Sequence, residues 1–123
     1  MTNSKLYDLE ERTLQFAIKC RDFVQKMRPT MANLEYGRQL IRSSGSQAAN
    51  YIEANESLSK KDFIHRIKIC RKETKESALW LTLIENDDAE KATKQFLLAE
   101  AIELRKIFSS ILMKSQKSLK LEN

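Results

Sequence analysis

Glycine and proline are almost missing from this chain, with two of the first and one of the second among 123 residues. Tight turns and hairpins depend on them, so their scarcity excludes an architecture of many short strands. It points instead to long helices with short connections. No β-branched run alternates with polar residues, which removes half-buried strands as well. Histidine occurs once, as His65, and cysteine twice, as Cys20 and Cys70, with no CxxC pair. Both thiols fall inside apolar helical stripes, so free buried cysteines in a reducing compartment are expected, with no disulfide and no metal site. No apolar run reaches the length of a membrane span, and no signal peptide is evident, so a cytoplasmic protein without membrane association is expected.

What the chain does have is charge and helical periodicity. Hydrophobic residues make up 41% and charged residues 32%, enough for one globular all-α domain with a single core. The net charge is +5 and the isoelectric point is near 9.3, which suits an anionic partner such as RNA or DNA.

Placing apolar residues at the helical period gives four segments, about 4–27, 33–56, 59–85 and 89–116. In the first, Leu6, Leu9, Phe16, Ala17, Cys20, Phe23, Val24 and Met27 share one arc, and Pro29 stops it. Asn33 is a candidate cap for the second. Ser59 opens the third, with Asp62 three positions on in a capping-box-like start. The fourth is expected to fray after residue 116. Segments of this length with short connections must run antiparallel, which predicts an up-down-up-down four-helix bundle over residues 1–123.

Within the second segment, RSSGSQAANYIEAN is too poor in glycine for a phosphate loop and lies beside no strand, so it is read as helix. Leu34, Gly37, Ile41, Ser44, Ala48 and Ile52 define its expected core face, with Tyr51 at the edge. The small residues there leave room for a neighbour, and a tight crossing would justify Gly45. Gln39, Ser43, Ser46, Asn50 and Glu53 form the opposite face. It is either an ordinary solvated face or a polar network buried at a subunit seam or against a ligand.

The third segment carries a row of cations, Lys61, Lys68, Lys72 and Lys75, with Arg71 at its edge. Such a row can neutralise phosphates, or be a solvated face interleaved with Glu73 and Glu76. No aromatic residue sits among these lysines to stack on bases, so any nucleic-acid contact is expected to be to the backbone. Further along, SALWLTLI is apolar nearly all round. Ile69, Leu79, Trp80 and Leu83 point away from the core arc and form a candidate oligomer interface, with Trp80 as its anchor. Coverage of this surface by the other helices of the same chain is the competing reading.

In the fourth segment Phe96, Leu97, Leu104, Ile107, Phe108 and Ile111 make a broad apolar face with Glu100 near its centre. A carboxylate there must be paired, protonated or at a seam. No catalytic motif accompanies it: there is no HExxH, no Ser-His-Asp order and no bridging ExxH pair. No catalytic residue, metal ligand or cofactor is therefore expected, and the chain reads as a non-enzyme.

Residues 42–76 resemble the bacterial 23S rRNA intervening-sequence protein family, also called the four-helix bundle protein family. Its pattern is R-S-S-x-S, then N-I-A-E-G, then S-x-x-D-F and a later S-x-x-E. The counterparts here are Arg42, Ser43, Ser44 and Ser46; Asn50 and Glu53; Ser59, Asp62 and Phe63; and Glu76. The chain departs from the pattern at Gln47, where Ile is usual, at NYIEA, and at Glu73, where Ser is common. The resemblance implies an antiparallel bundle assembling as a homopentamer, from a gene often embedded in a large-subunit ribosomal RNA insertion. It also implies a relation to accessory proteins of diversity-generating retroelements, which are basic pentamers that bind nucleic acid and a reverse transcriptase. Two functions stay open at this point: a basic oligomer that binds RNA or DNA by its phosphates, and a protein–protein adaptor or structural oligomer.

Overall fold

The computed structural model describes residues 4–122, with side chains from residue 9 onward. Leu6, expected in the core, lies outside the described side chains. The described residues form four α-helices and no strand: α1 Ser4–Lys26, α2 Met31–Asn55, α3 Lys60–Leu83 and α4 Lys91–Glu122, with a 3-10 turn at Asp88–Glu90 leading into α4. Cross-helix contacts give the directions. Gln47 reaches Thr13, Ser43 meets Ser77, and Lys94 reaches Ile84, so each helix returns antiparallel to the one before it. The fold is the four-helix bundle that the periodicity predicts, with α1 packed mainly on α2 and only lightly on α4.

Local chemistry explains the helix ends. Ser59 caps α3, its hydroxyl accepting from the Asp62 N–H at 3.1 Å. Thr30, not Asn33, caps α2, and its hydroxyl accepts from the Asn33 N–H at 3.1 Å. Asn33 has another task. It is 1% exposed, and its Nδ2 donates to the carbonyls of Arg28 at 3.0 Å and Glu85 at 2.8 Å. Its Oδ1 accepts from the Glu85 N–H at 3.0 Å, so one side chain ties the α1–α2 turn to the end of α3. At the other end α4 does not stop at residue 116. Lys60 of α3 bonds both Ser118 and Glu122, and helical structure persists to Glu122.

Phe16, Cys20 and Phe23 from α1, Leu40 and Tyr51 from α2, Ile67, Cys70 and Leu81 from α3, and Leu97, Leu104 and Phe108 from α4 make the core. Burial of each large side chain contributes about 1.5–3 kcal/mol. The α2 face is turned by roughly 70° from the expected wheel. Leu34, Ile41 and Ile52 are about half exposed, whereas Leu40, Ser43, Gln47 and Ala54 are buried. Polar residues with hydrogen-bond partners take core places that apolar counting assigns elsewhere. Gln47, for example, donates to the carbonyls of Thr13 at 2.8 Å and Ser44 at 3.0 Å.

The two glycines differ in the same way. A Cβ on Gly37 would meet Met27 Cε at 2.5 Å and Val24 Cγ1 at 3.0 Å, so the absent side chain makes room for these two residues. Gly45, expected at a tight crossing, has nothing within 4 Å of a Cβ position.

Candidate functional site

The polar motif residues of α2 and α3 meet one another along the seam between those helices. Ser43, fully buried, lies with its hydroxyl 2.7 Å from that of Ser77. Next to Ser43 in the chain, Arg42 donates to Glu76 at 3.2 Å and to Glu73 at 3.4 Å. Toward the other end Asn50 accepts from Arg66 at 2.9 Å and donates to the Ser46 hydroxyl at 3.1 Å. Leaving such a group buried without a partner costs about 1–3 kcal/mol, so these bonds set the rotation of α3 against α2. Arg42, Ser43, Ser46, Asn50 and Glu76 thus join an intramolecular ladder. Glu53 and Asp62 do not: both side chains are exposed, and only their backbone groups take part in nearby bonds. Arg66, Glu73 and Ser77 complete the ladder. Nothing in the sequence marks Arg66 or Ser77, and Glu73 shows there only as an acid among lysines, because a partner on another helix leaves no trace in the periodicity of one.

This rotation decides what α3 shows to solvent. Lys61, Lys68, Lys72 and Lys75 are exposed and Arg71 is half-buried beside them. His65 falls on the same row, between Lys61 and Lys68. Glu73 and Glu76, which the sequence places among these cations, point the other way, toward Arg42. Among the described residues none of the four lysines has a carboxylate within ion-pair distance. A surface cation held by a nearby acid gains little from an added phosphate, whereas an unpaired row can release counterions along its length.

The expected interface residues lie partly within the chain. Trp80 is half-buried and stacks on Tyr36 of α2, with ring centroids 6.0 Å apart and planes at 24°. Ile69 is half-buried, while Leu79 and Leu83 remain 49% and 39% exposed. Glu100 has found a partner on α1, accepting from Arg12 Nε at 2.7 Å and Nη2 at 2.8 Å. The hydrogen bond and charge of Glu100 raise the Arg12 pKa against the opposing effect of its burial. Both Glu100 carboxylate oxygens are therefore engaged by one guanidinium. Cys20 and Cys70 are free and buried, and desolvation pushes each thiol up to about 12. Among the described residues no group of three or more His, Cys, Asp or Glu could hold a metal ion, and no helix is long and apolar enough to cross a membrane.

Comparison with known proteins agrees with the fold. The family described as 23S rRNA-intervening sequence protein matches residues 7–110. The chain belongs to that family. Among solved structures, the fold of this 23S rRNA-intervening sequence protein is similar to that of a protein of unknown function from the S23 ribosomal protein family of Bacteroides thetaiotaomicron. The two are 26% identical with a TM-score of 0.67, over 84% of this chain and 96% of the other. No curated protein matches.

Proposed function

We propose that this member of the family is a non-enzymatic, basic, oligomeric bundle that binds RNA or DNA through phosphate contacts on α3. One observation carries the reading: Arg42 draws Glu73 and Glu76 to the α2 side, leaving the Lys61, Lys68, Lys72 and Lys75 row without acids. Arg71 supplies a fifth cation at its edge. With no aromatic residue in the row, contacts go to the backbone and sequence preference is weak. The test is filter retention of a structured RNA across a salt series. Retention at low salt that falls steeply as salt rises is expected, with loss on Lys68→Glu/Lys72→Glu. Absence of binding by the unaltered protein at low salt would overturn the reading.

A second reading is favoured by apolar surface that the protomer leaves half exposed, Leu79 and Leu83 on α3 with Leu34, Ile41 and Ile52 on α2. It is a homo-oligomer, a pentamer as the resemblance implies, acting as a protein adaptor of the kind that accompanies a reverse transcriptase. Charge reversal at Lys68 and Lys72 would leave partner capture intact under this reading. Light scattering that finds a monomer would remove its oligomeric half.

A further inference from the structure

The outer groove between α3 and α4 is basic on both sides. Two anchors fix how the helices face each other. Lys60 bonds Ser118 and Glu122 at one end, and Lys94 Nζ bonds the carbonyls of Thr82 and Ile84 at the other. Stepping along α3 from Thr82 by helical neighbours gives Ala78, Lys75, Arg71 and Lys68 on the edge toward α4. Stepping along α4 from Lys94 gives Leu98, Arg105 and Ser109 on the edge toward α3. Antiparallel pairing between the anchors brings Arg105 to the level of Arg71 and Lys75.

No acid lies on either edge. The α3 carboxylates are Asp62, Glu73 and Glu76, of which the last two face Arg42. On α4, Glu100 turns to Arg12 and Glu122 to Lys60, while Glu103 reaches only Lys106, at 3.6 Å, from the far side of the helix. Arg105 is half-buried, has no ion-pair partner among the described residues, and its Nε is buried without a hydrogen bond. With Lys106, Ser109, Ser110 and Met113 it lines an open depression of about 550 Å³ whose walls are all α4 residues, so the α3 cations stand beside this depression and not in it. A guanidinium that is partly desolvated and unpaired is costly, and its fork geometry matches two oxygens of a phosphate.

We infer that one phosphodiester strand lies along the α3–α4 groove, held by the α3 lysines on one side and by Arg105, Lys106 and the Ser109 hydroxyl on the other. This rests on the phosphate-binding reading above and extends it to a second helix. The α3 row from Lys61 to Lys75 spans about 21 Å. That length accommodates about six nucleotides of stacked strand. A strand clasped from two helices is held in one track, whereas a single row of lysines would let it lie at any angle.

The experiment is fluorescence anisotropy with a labelled, unstructured 20-nucleotide oligouridylate across a salt series. Four proteins are compared with the unaltered one: Arg105→Gln/Lys106→Gln, Lys106→Gln alone, Lys68→Gln/Lys72→Gln, and Lys26→Gln/Arg38→Gln. The last removes the same charge from exposed sites on α1 and α2. The α3 variant is expected to reduce the slope of log affinity against log salt by about 1.4, the α4 double variant by about 0.7 to 1.4, and Lys106→Gln by a smaller step, since Glu103 already pairs Lys106 at 3.6 Å. The control is expected to change the slope by much less. Lys106 is exposed, so its single variant keeps the test valid if loss of Arg105 unsettles the fold. If the α4 variants match the control while the α3 variant loses affinity, the groove is overturned and phosphate binding on α3 stands. If the unaltered protein does not bind, both fall.

Discussion

Arg42 and Glu76 meet at 3.2 Å across the α2–α3 seam, and the same guanidinium reaches the Glu73 carboxylate, whose side chain is 7% exposed. The pairing is both structural and functional, because it keeps two acids out of the basic row on α3. Arg42→Met leaves Glu73 buried without its counter-charge, and a loss of about 1–3 kcal/mol is expected, since half of the Arg42 side chain is solvated. Arg42→Met/Glu73→Met should recover most of that loss. Urea denaturation of the three proteins measures the coupling, and equal destabilisation by single and double variants would refute it.

Gly45 sits inside α2 with open space where a Cβ would go. Gly45→Ala is therefore expected to stabilise the protein by about 1 kcal/mol, seen as a higher urea midpoint. A lower midpoint would show that another chain rests against this part of α2 in the assembled protein.

Trp80 stacks on Tyr36 within the protomer. Trp80→Ala is expected to cost about 1–3 kcal/mol of protomer stability, less than a fully buried aromatic, and to weaken the near-ultraviolet dichroism of the pair. Light scattering on the same variant separates the roles. A fall in mass without a fall in urea midpoint would move Trp80 from the interior to a subunit interface.

Burial holds the Cys20 and Cys70 thiols up at about 12, against an ordinary value of 9.0. The folded state therefore keeps these protons over a range in which the unfolded chain releases them. Stability from this source is complete below pH 9 and is lost as pH rises from 9 toward 12. Urea midpoints measured from pH 7 to 11 should decline in the upper part of that range. Cys20→Ala/Cys70→Ala should flatten the decline, and an unchanged slope would contradict the assignment.

The sequence reveals those parts of the fold that depend on neighbours along the chain. Pro29 and Ser59 mark helix ends by local chemistry, and the apolar period yields α1, α3 and α4 with nearly the right faces. On α2 it is only partly right: Gly37, Ser44 and Ala48 are buried as expected, but Ser43 and Gln47 are buried too, because partners exist on α3 and α1. Hydrophobic counting has no means of seeing such partners. The lysine row was visible as a spacing, but its lack of acids was not, since Glu73 and Glu76 lie among those lysines in sequence and face away in space. Arg105 was hidden for a related reason: only the pairing of α3 with α4 brings it beside Arg71 and Lys75.

Asn33 gives one end of the bundle a chemical weak point. Its amide nitrogen faces the carbonyl oxygens of Arg28 and Glu85. An aspartate in its place would put a carboxylate oxygen where that donor stands, so that acceptor meets acceptor in a site 1% open to water. The α1–α2 turn and the end of α3 would then repel at the place where they are now tied. Exchange of one amide for a carboxylate, with no other change in the chain, would be enough to loosen that end of the molecule.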